Sequence, residues 1–183
     1  MILQAIKTLS AKRAAGSKTR LFINVTHASM ADSSFLPWIT VALQAARLPS
    51  DALIFQLDEK QATSYIKDAA KFSNGLAKLH FKTSINHFGC SLNPFNLLKH
   101  LHPDYVKLDG SFAQQIEGDK EKQQDLIDMV KSLQSTGVLT AISGVESPAV
   151  LSTLWQAGVN FIQGYYISMP MENLDYDFTN EDL

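Results

Sequence analysis

Apolar runs of strand length alternate with stretches of helical periodicity along the whole chain, which is the signature of repeated βα units and a parallel sheet. Six runs predict strands: "RLFINV" (Arg20 to Val25), "ALIFQL" (Ala52 to Leu57), "FKTSIN" (Phe81 to Asn86), "YVKL" (Tyr105 to Leu108), "VLTAI" (Val138 to Ile142) and "NFIQ" (Asn160 to Gln163). Helices fill the gaps. Leu126, Met129, Val130 and Leu133 fall on one face at helical spacing, and Gly137 stands where a left-handed C-terminal residue is wanted. Ser147 is a good N-cap, Pro148 suits the first helical position, and Gly158 closes "PAVLSTLWQAG". The opening "MILQAIKTLSAKRAAG" reads as an amphipathic helix rather than a signal sequence.

Such a succession closes as a barrel or stays open as a doubly wound sheet. An eight-stranded barrel takes ~250 residues, so this chain is short by roughly two units. On the barrel reading it starts late, and the missing strands are expected before Met1. Two unpaired sheet edges then offer a route to a homodimer. One domain over 1–183 is expected, with 171–183 an acidic tail that includes "ENLDYDFTNEDL".

Composition narrows the partners. Sixteen basic residues against eighteen acidic ones give a net charge of −2, and no basic run exceeds the pair Lys12 and Arg13, so DNA and RNA are not expected partners. Any anionic ligand must be caught locally. Cys90 is the single cysteine, which excludes an internal disulfide and a paired-cysteine zinc site and fits a cytoplasmic setting. With no apolar span of membrane length, membrane insertion is not expected.

Candidate chemistry gathers at the carboxyl ends of the predicted strands: Asn24, Gln56, Asn86 with His87, Lys107 with Asp109, Ser143 with Glu146, and Gln163. Taken singly, an Asn or Gln closing a strand usually serves a turn or a backbone group. Six polar strand ends in one parallel fold point instead to a ligand site, because ligands sit at that end. Lys107 is the most informative of them. Lysine between Val106 and Leu108 is costly unless it meets an anion.

The run "DYVKLDGSF" (Asp104 to Phe112), the loop "NHFGCS", the loop "SGVES" (Ser143 to Ser147) and the motif "QGYYISMP" (Gln163 to Pro170) resemble, in order and spacing, the EAL-domain family. That family consists of barrel enzymes that hydrolyse cyclic di-GMP. The resemblance implies an incomplete TIM-like (β/α) barrel of the α/β class, with about six strands present and the naming glutamate-alanine-leucine segment upstream of Met1. Hydrolysing members hold two divalent cations with carboxylates and one asparagine. Asn24 in "FINVT" matches the asparagine, but the acids are replaced: Gln56 stands for a glutamate, Asn86 and His87 for two aspartates, Ser143 for a further glutamate. Mg²⁺ needs anionic oxygen, so neither metal nor catalysis is expected at the degenerate positions Gln56, Asn86 and His87.

The wording "SINHFGCSLNPFNLLKHL", "LTAISGVESPAVLSTLWQAG" and "QGYYISMPMENLDYDF" is similar to the FimX-type subgroup of degenerate EAL domains. The resemblance implies a cyclic di-GMP receptor that promotes type IV pilus assembly and twitching motility, with a PilZ-type protein as partner. The implied ligand set is Asn24, Lys107, Asp109, Ser143, Gly144, Glu146, Gln163 and Pro170. Glu146 and Gln163 read guanine edges, Asn24 and Lys107 lie near phosphate, and Pro170 forms an apolar wall. Tyr165 and Tyr166 offer a stacking face, although strand alternation would bury one of them. Two other readings stand beside this one: a weak metal-dependent phosphodiesterase built on His87, Asn24 and Asp109, and a protein-interaction domain that no longer binds nucleotide.

Overall fold

The computed structural model describes residues 2–171, so the acidic tail expected at 171–183 lies outside the described residues except for Met171. The chain divides into two compact units, Met1–Asp104 and Tyr105–Leu183. Each is a run of βα units with all of its recorded strand pairs parallel.

The first unit opens with helix α1 (Ile2–Ala14), which buries Ile6 and Leu9 and ends on Lys12 and Arg13, where cations suit the helix terminus. Strand β1 (Leu21–Val25) follows, then α2 (His27–Ala31), capped by the Thr26 side chain, and α3 (Phe35–Ala45). In α3, Phe35, Ile39 and Leu43 recur every four residues and turn one face inward. Strand β2 (Leu53–Asp58) is buried along almost its whole length, as a central parallel strand covered on both faces must be. Asp58 then caps α4 (Glu59–Ser64) by accepting from Gln61 N at 2.9 Å.

Helix α5 (Ile66–Lys78) buries Ala69, Phe72, Ser73 and Leu76 on one stripe, and β3 (Lys82–Phe88) and α6 (Phe95–Leu98) complete the unit. Its core is aromatic. Phe55 meets Phe35 and Phe81 edge-on at 6.0 and 5.4 Å between centroids, the favoured arrangement for ring quadrupoles. Asp104 closes the unit by accepting from Lys82 Nζ at 2.6 Å and Thr83 N at 2.9 Å.

The second unit holds β4 (Tyr105–Leu108), α7 (Gly110–Gln115), α8 (Lys120–Gln134), β5 (Leu139–Ile142), α9 (Leu151–Ala157) and the short β6 (Phe161–Ile162). Asp119 caps α8 by accepting from Glu121 N and Lys122 N, and Leu126, Val130 and Leu133 form its buried stripe. Gly137 follows that helix at φ 88°. Ser147 accepts from Ala149 N at 3.2 Å ahead of a 3-10 turn with Pro148 at its start, and Gly158 ends α9 at φ 73°. The caps read from the sequence therefore do what they were expected to do. Strand β6 is shorter than the predicted 160–163: it stops at Ile162, and Gln163 lies beyond it.

Candidate functional site

Parallel register decides which strand residues share a face. In the first unit Asn24 is the Cα partner of Gln56, Gln56 of Ser84, and Asp58 of Asn86. Side chains alternate along a strand, so Asn24, Gln56 and Ser84 form one polar row and Asn86 lies one layer further along the same face. Gln56 Nε2 donates to Asn24 Oδ1 at 2.7 Å. The opposite end of the Gln56 amide, Oε1, is buried with no hydrogen-bond partner among the described residues, as are Ser84 Oγ and Asn86 Oδ1. Gln56 is 5% exposed and Ser84 fully enclosed, so these orphaned atoms carry a desolvation cost.

Asn86 and His87 were expected to reach the pocket mouth together, and the structure separates them. Asn86 is buried, whereas His87 is exposed and sits at φ 54°, in the left-handed region. The alternation of the strand turns neighbours to opposite faces, and the positive φ begins the turn into the loop that follows. That loop is held by a residue the sequence reading passed over. Glu59, 1% exposed, accepts from Cys90 N at 3.0 Å and from the Ser91 hydroxyl. Its carboxylate satisfies two loop donors from the start of α4.

In the second unit Lys107 pairs in register with Ala141, and Ala141 with Phe161. Just beyond the ends of these three strands come Asp109, Ser143 and Gln163. Asp109 accepts from Ser111 N at 3.0 Å and so caps α7. Ser143 Oγ donates to Leu108 O at 3.1 Å. Gln163 N donates to Ile142 O at 2.9 Å and Val145 N to Gln163 O at 3.1 Å, which extends the parallel ladder past the end of β5. Lys107 is half-buried, and this desolvation holds its ammonium below the ordinary lysine pKa.

Two glycine contacts bring the loops of this unit together. A Cβ on Gly144, which has φ 74°, would lie 2.9 Å from Gly110 Cα, and a Cβ on Gly164 would run into the Val145 backbone. Main chain therefore lies on main chain, with Tyr166 N donating to Val145 O at 3.1 Å. The result is a cleft of about 400 Å³, within the range of small-molecule sites. Gly144, Glu146, Gln163 and Pro170 of the expected ligand set line it, together with Gly164, Tyr165, Ser168 and Met169.

The alternation expected at Tyr165 and Tyr166 does not hold, because the chain turns at Gly164 instead of continuing as a strand. Both rings are exposed, at 60% and 38%. Lys107, Asp109 and Ser143 are not among the cleft's lining residues, and Asn24 belongs to the first unit.

The sequence profile of the EAL domain matches residues 1–170. The chain belongs to the EAL-domain family. Among curated relatives, "Cyclic di-GMP phosphodiesterase PdeB" of Shewanella oneidensis is 27% identical over 158 residues, which is 84% of this chain and 18% of that protein. The chain spans about a fifth of the length of the curated relatives it matches first. Among solved structures, a FimX EAL domain is 48% identical, with a TM-score of 0.92 over 97% of this chain and 71% of that one. The FimX EAL domain from Pseudomonas aeruginosa bound to c-di-GMP is 47% identical, with a TM-score of 0.90 and the same coverage. The six parallel strands and their helices are thus those of an EAL barrel, and the expected fold class stands. Among the described residues no helix is long and apolar enough to cross a membrane.

Proposed function

We propose that this chain is a cyclic di-GMP-binding EAL domain of FimX type that does not hydrolyse its ligand. The observation that carries the reading is the amide pair Asn24–Gln56, in the row where a hydrolysing member would hold metal. Gln56 commits one N–H to Asn24 Oδ1 at 2.7 Å, Ser84 beside them is neutral, and in the next layer Asn86 is neutral while the carboxylate of its register partner Asp58 accepts from Gln61 N as the cap of α4. Divalent cations do not fit this donor set, because hard cations take anionic oxygens and the oxygens left without a partner among the described residues here, Gln56 Oε1, Ser84 Oγ and Asn86 Oδ1, are all neutral.

The cleft of the second unit supplies recognition in their place. Glu146 is exposed on the cleft wall, and its carboxylate suits the adjacent N1-H and N2-H donors of a guanine. Gln163 has both an acceptor and a donor for a further edge, and the exposed Tyr165 ring offers a face for the base. Lys107 gains a partner whose attraction offsets its desolvation cost when a phosphate oxygen approaches it. The close likeness to a FimX EAL domain solved with c-di-GMP supports this assignment. On the same reading the domain acts in cytoplasmic signalling to type IV pili through a PilZ-type protein.

Titration calorimetry of the chain with cyclic di-GMP, with Mg²⁺ and with a chelator, combined with chromatography of the same samples, tests the proposal. Saturable binding that ignores the metal and leaves the dinucleotide intact is expected. Metal-dependent appearance of the linear product would establish a phosphodiesterase. Absence of binding would leave the protein-interaction reading.

A further inference from the structure

Away from the strand ends, the first unit carries a groove of about 470 Å³ where α2 packs on α5. Its floor is apolar, formed by Met30, Phe72 and Leu36. Gly75 lets Leu36 pack against the helix and form that floor: glycine inside a helix weakens it relative to alanine, but a Cβ here would sit 2.5 Å from Leu36 Cδ1 and would have to displace it.

One rim is cationic. Lys71, Asn74 and Lys78 stand on the exposed side of α5 at spacings of three and four residues, so they form one ridge. Neither lysine forms an ion pair among the described residues of its unit. On the opposite rim Asp32 turns back on its own loop, accepting from Ser34 N at 2.8 Å and Ser34 Oγ at 2.7 Å. The rim that faces solvent is therefore two ammonium groups against one carboxylate already engaged.

We propose that this groove docks a partner protein through a short acidic segment with an apolar anchor between two carboxylates. Geometry and charge select that occupant. Lys71 and Lys78 are two helical turns apart, about 10.5 Å along the axis, so two separate anions on one chain suit them better than one small anion. A polyproline-II segment advances about 9.3 Å in three residues and returns to the same side, so acids three positions apart face both lysines. Of the two residues between them, one then points toward the apolar floor, and Asn74 can bond the segment's backbone between the two acids.

The test uses the full chain and a fluorescein-labelled peptide, Ser-Asp-Phe-Pro-Asp-Ser, followed by polarisation at low salt, with circular dichroism melts to verify folding. Saturable binding is expected, weakened about tenfold or more when both acids become Asn or when the Phe becomes Ser. The same loss is expected in the Lys71→Glu/Lys78→Glu variant and in Gly75→Leu. If either fails to fold, Lys71→Gln/Lys78→Gln and Gly75→Ala replace them. Absence of saturable binding up to millimolar peptide overturns the proposal, as does binding that survives both the charge and the floor variants. So does NMR evidence that inorganic phosphate or octanoate fills the groove while the peptide does not.

Discussion

Gln56 and Asn24 are Cα partners across β1 and β2, and their side chains are joined amide to amide at 2.7 Å. That bond needs a donor on Gln56 facing an acceptor on Asn24, and a carboxylate at position 56 removes the donor. Gln56→Glu is therefore expected to cost about 1–3 kcal/mol at neutral pH, because a charge is buried in a row that offers no cation. Burial raises such a carboxyl's pKa, so the lost stability returns as pH falls through that raised value. Urea unfolding at several pH values measures this, and saturating Mg²⁺ is expected to leave the deficit unchanged.

Ser84 is fully enclosed and its hydroxyl has no partner among the described residues, while its neighbour in register, Gln56, has its own orphaned oxygen. Removing an unsatisfied buried hydroxyl removes a desolvation cost and little packing. Ser84→Ala is accordingly expected to be neutral or to stabilise by up to about 1 kcal/mol in denaturant unfolding. A loss of more than that would show that the hydroxyl is bonded in solution.

Much of this architecture is legible in the sequence. Strands rich in β-branched and aromatic residues, such as "LFINV" and "LIFQL", are bounded within a residue or two, and Ser147, Gly137 and Gly158 mark helix ends by local chemistry alone. What the sequence hides is tertiary. Glu59 begins "EKQATS", which reads as an exposed first turn, yet it is 1% exposed because Cys90 and Ser91 return to it from 31 and 32 residues away. Nothing local at Tyr165 and Tyr166 shows that Gly164 is pressed onto the Val145 backbone, and it is that contact which ends the alternation. Glu146 and Gln163 of the cleft are legible as polar strand ends and Gly144 and Pro170 only through the family resemblance, whereas Ser168 and Met169 line the cleft because the chain turns back there.

The backbone-on-backbone contacts around the cleft set the next expectation. Gly144→Ala must place a Cβ 2.9 Å from Gly110 Cα at a φ of 74°, where an L side chain is strained already. A loss of about 1–3 kcal/mol is expected from denaturant unfolding, together with a loss of cyclic di-GMP affinity in calorimetry. By contrast Gly118→Ala, at φ 75° with nothing within 4 Å, carries only the conformational strain and should cost less and leave affinity unchanged.

Lys107 gives a prediction with a defined sign. Burial lowers its pKa in the folded chain, so the unfolded chain holds the proton more tightly. Between the depressed folded value and the ordinary lysine value of about 10.4, the unfolded state binds more protons, and stability from this group rises with pH. Below the folded value both states are protonated and the penalty is constant. Lys107→Met removes both the penalty and its pH dependence, so its melting temperature should exceed that of the wild type at neutral pH, with the gap narrowing in alkaline buffer. The same substitution should weaken cyclic di-GMP binding by about tenfold or more, because an ammonium held against phosphate is lost. Wild-type binding should also take up protons in alkaline buffer, since an anion beside Lys107 restores its pKa, and calorimetry in buffers of different ionisation enthalpy reads that uptake directly. A variant that gains stability yet keeps full affinity would remove Lys107 from the ligand set.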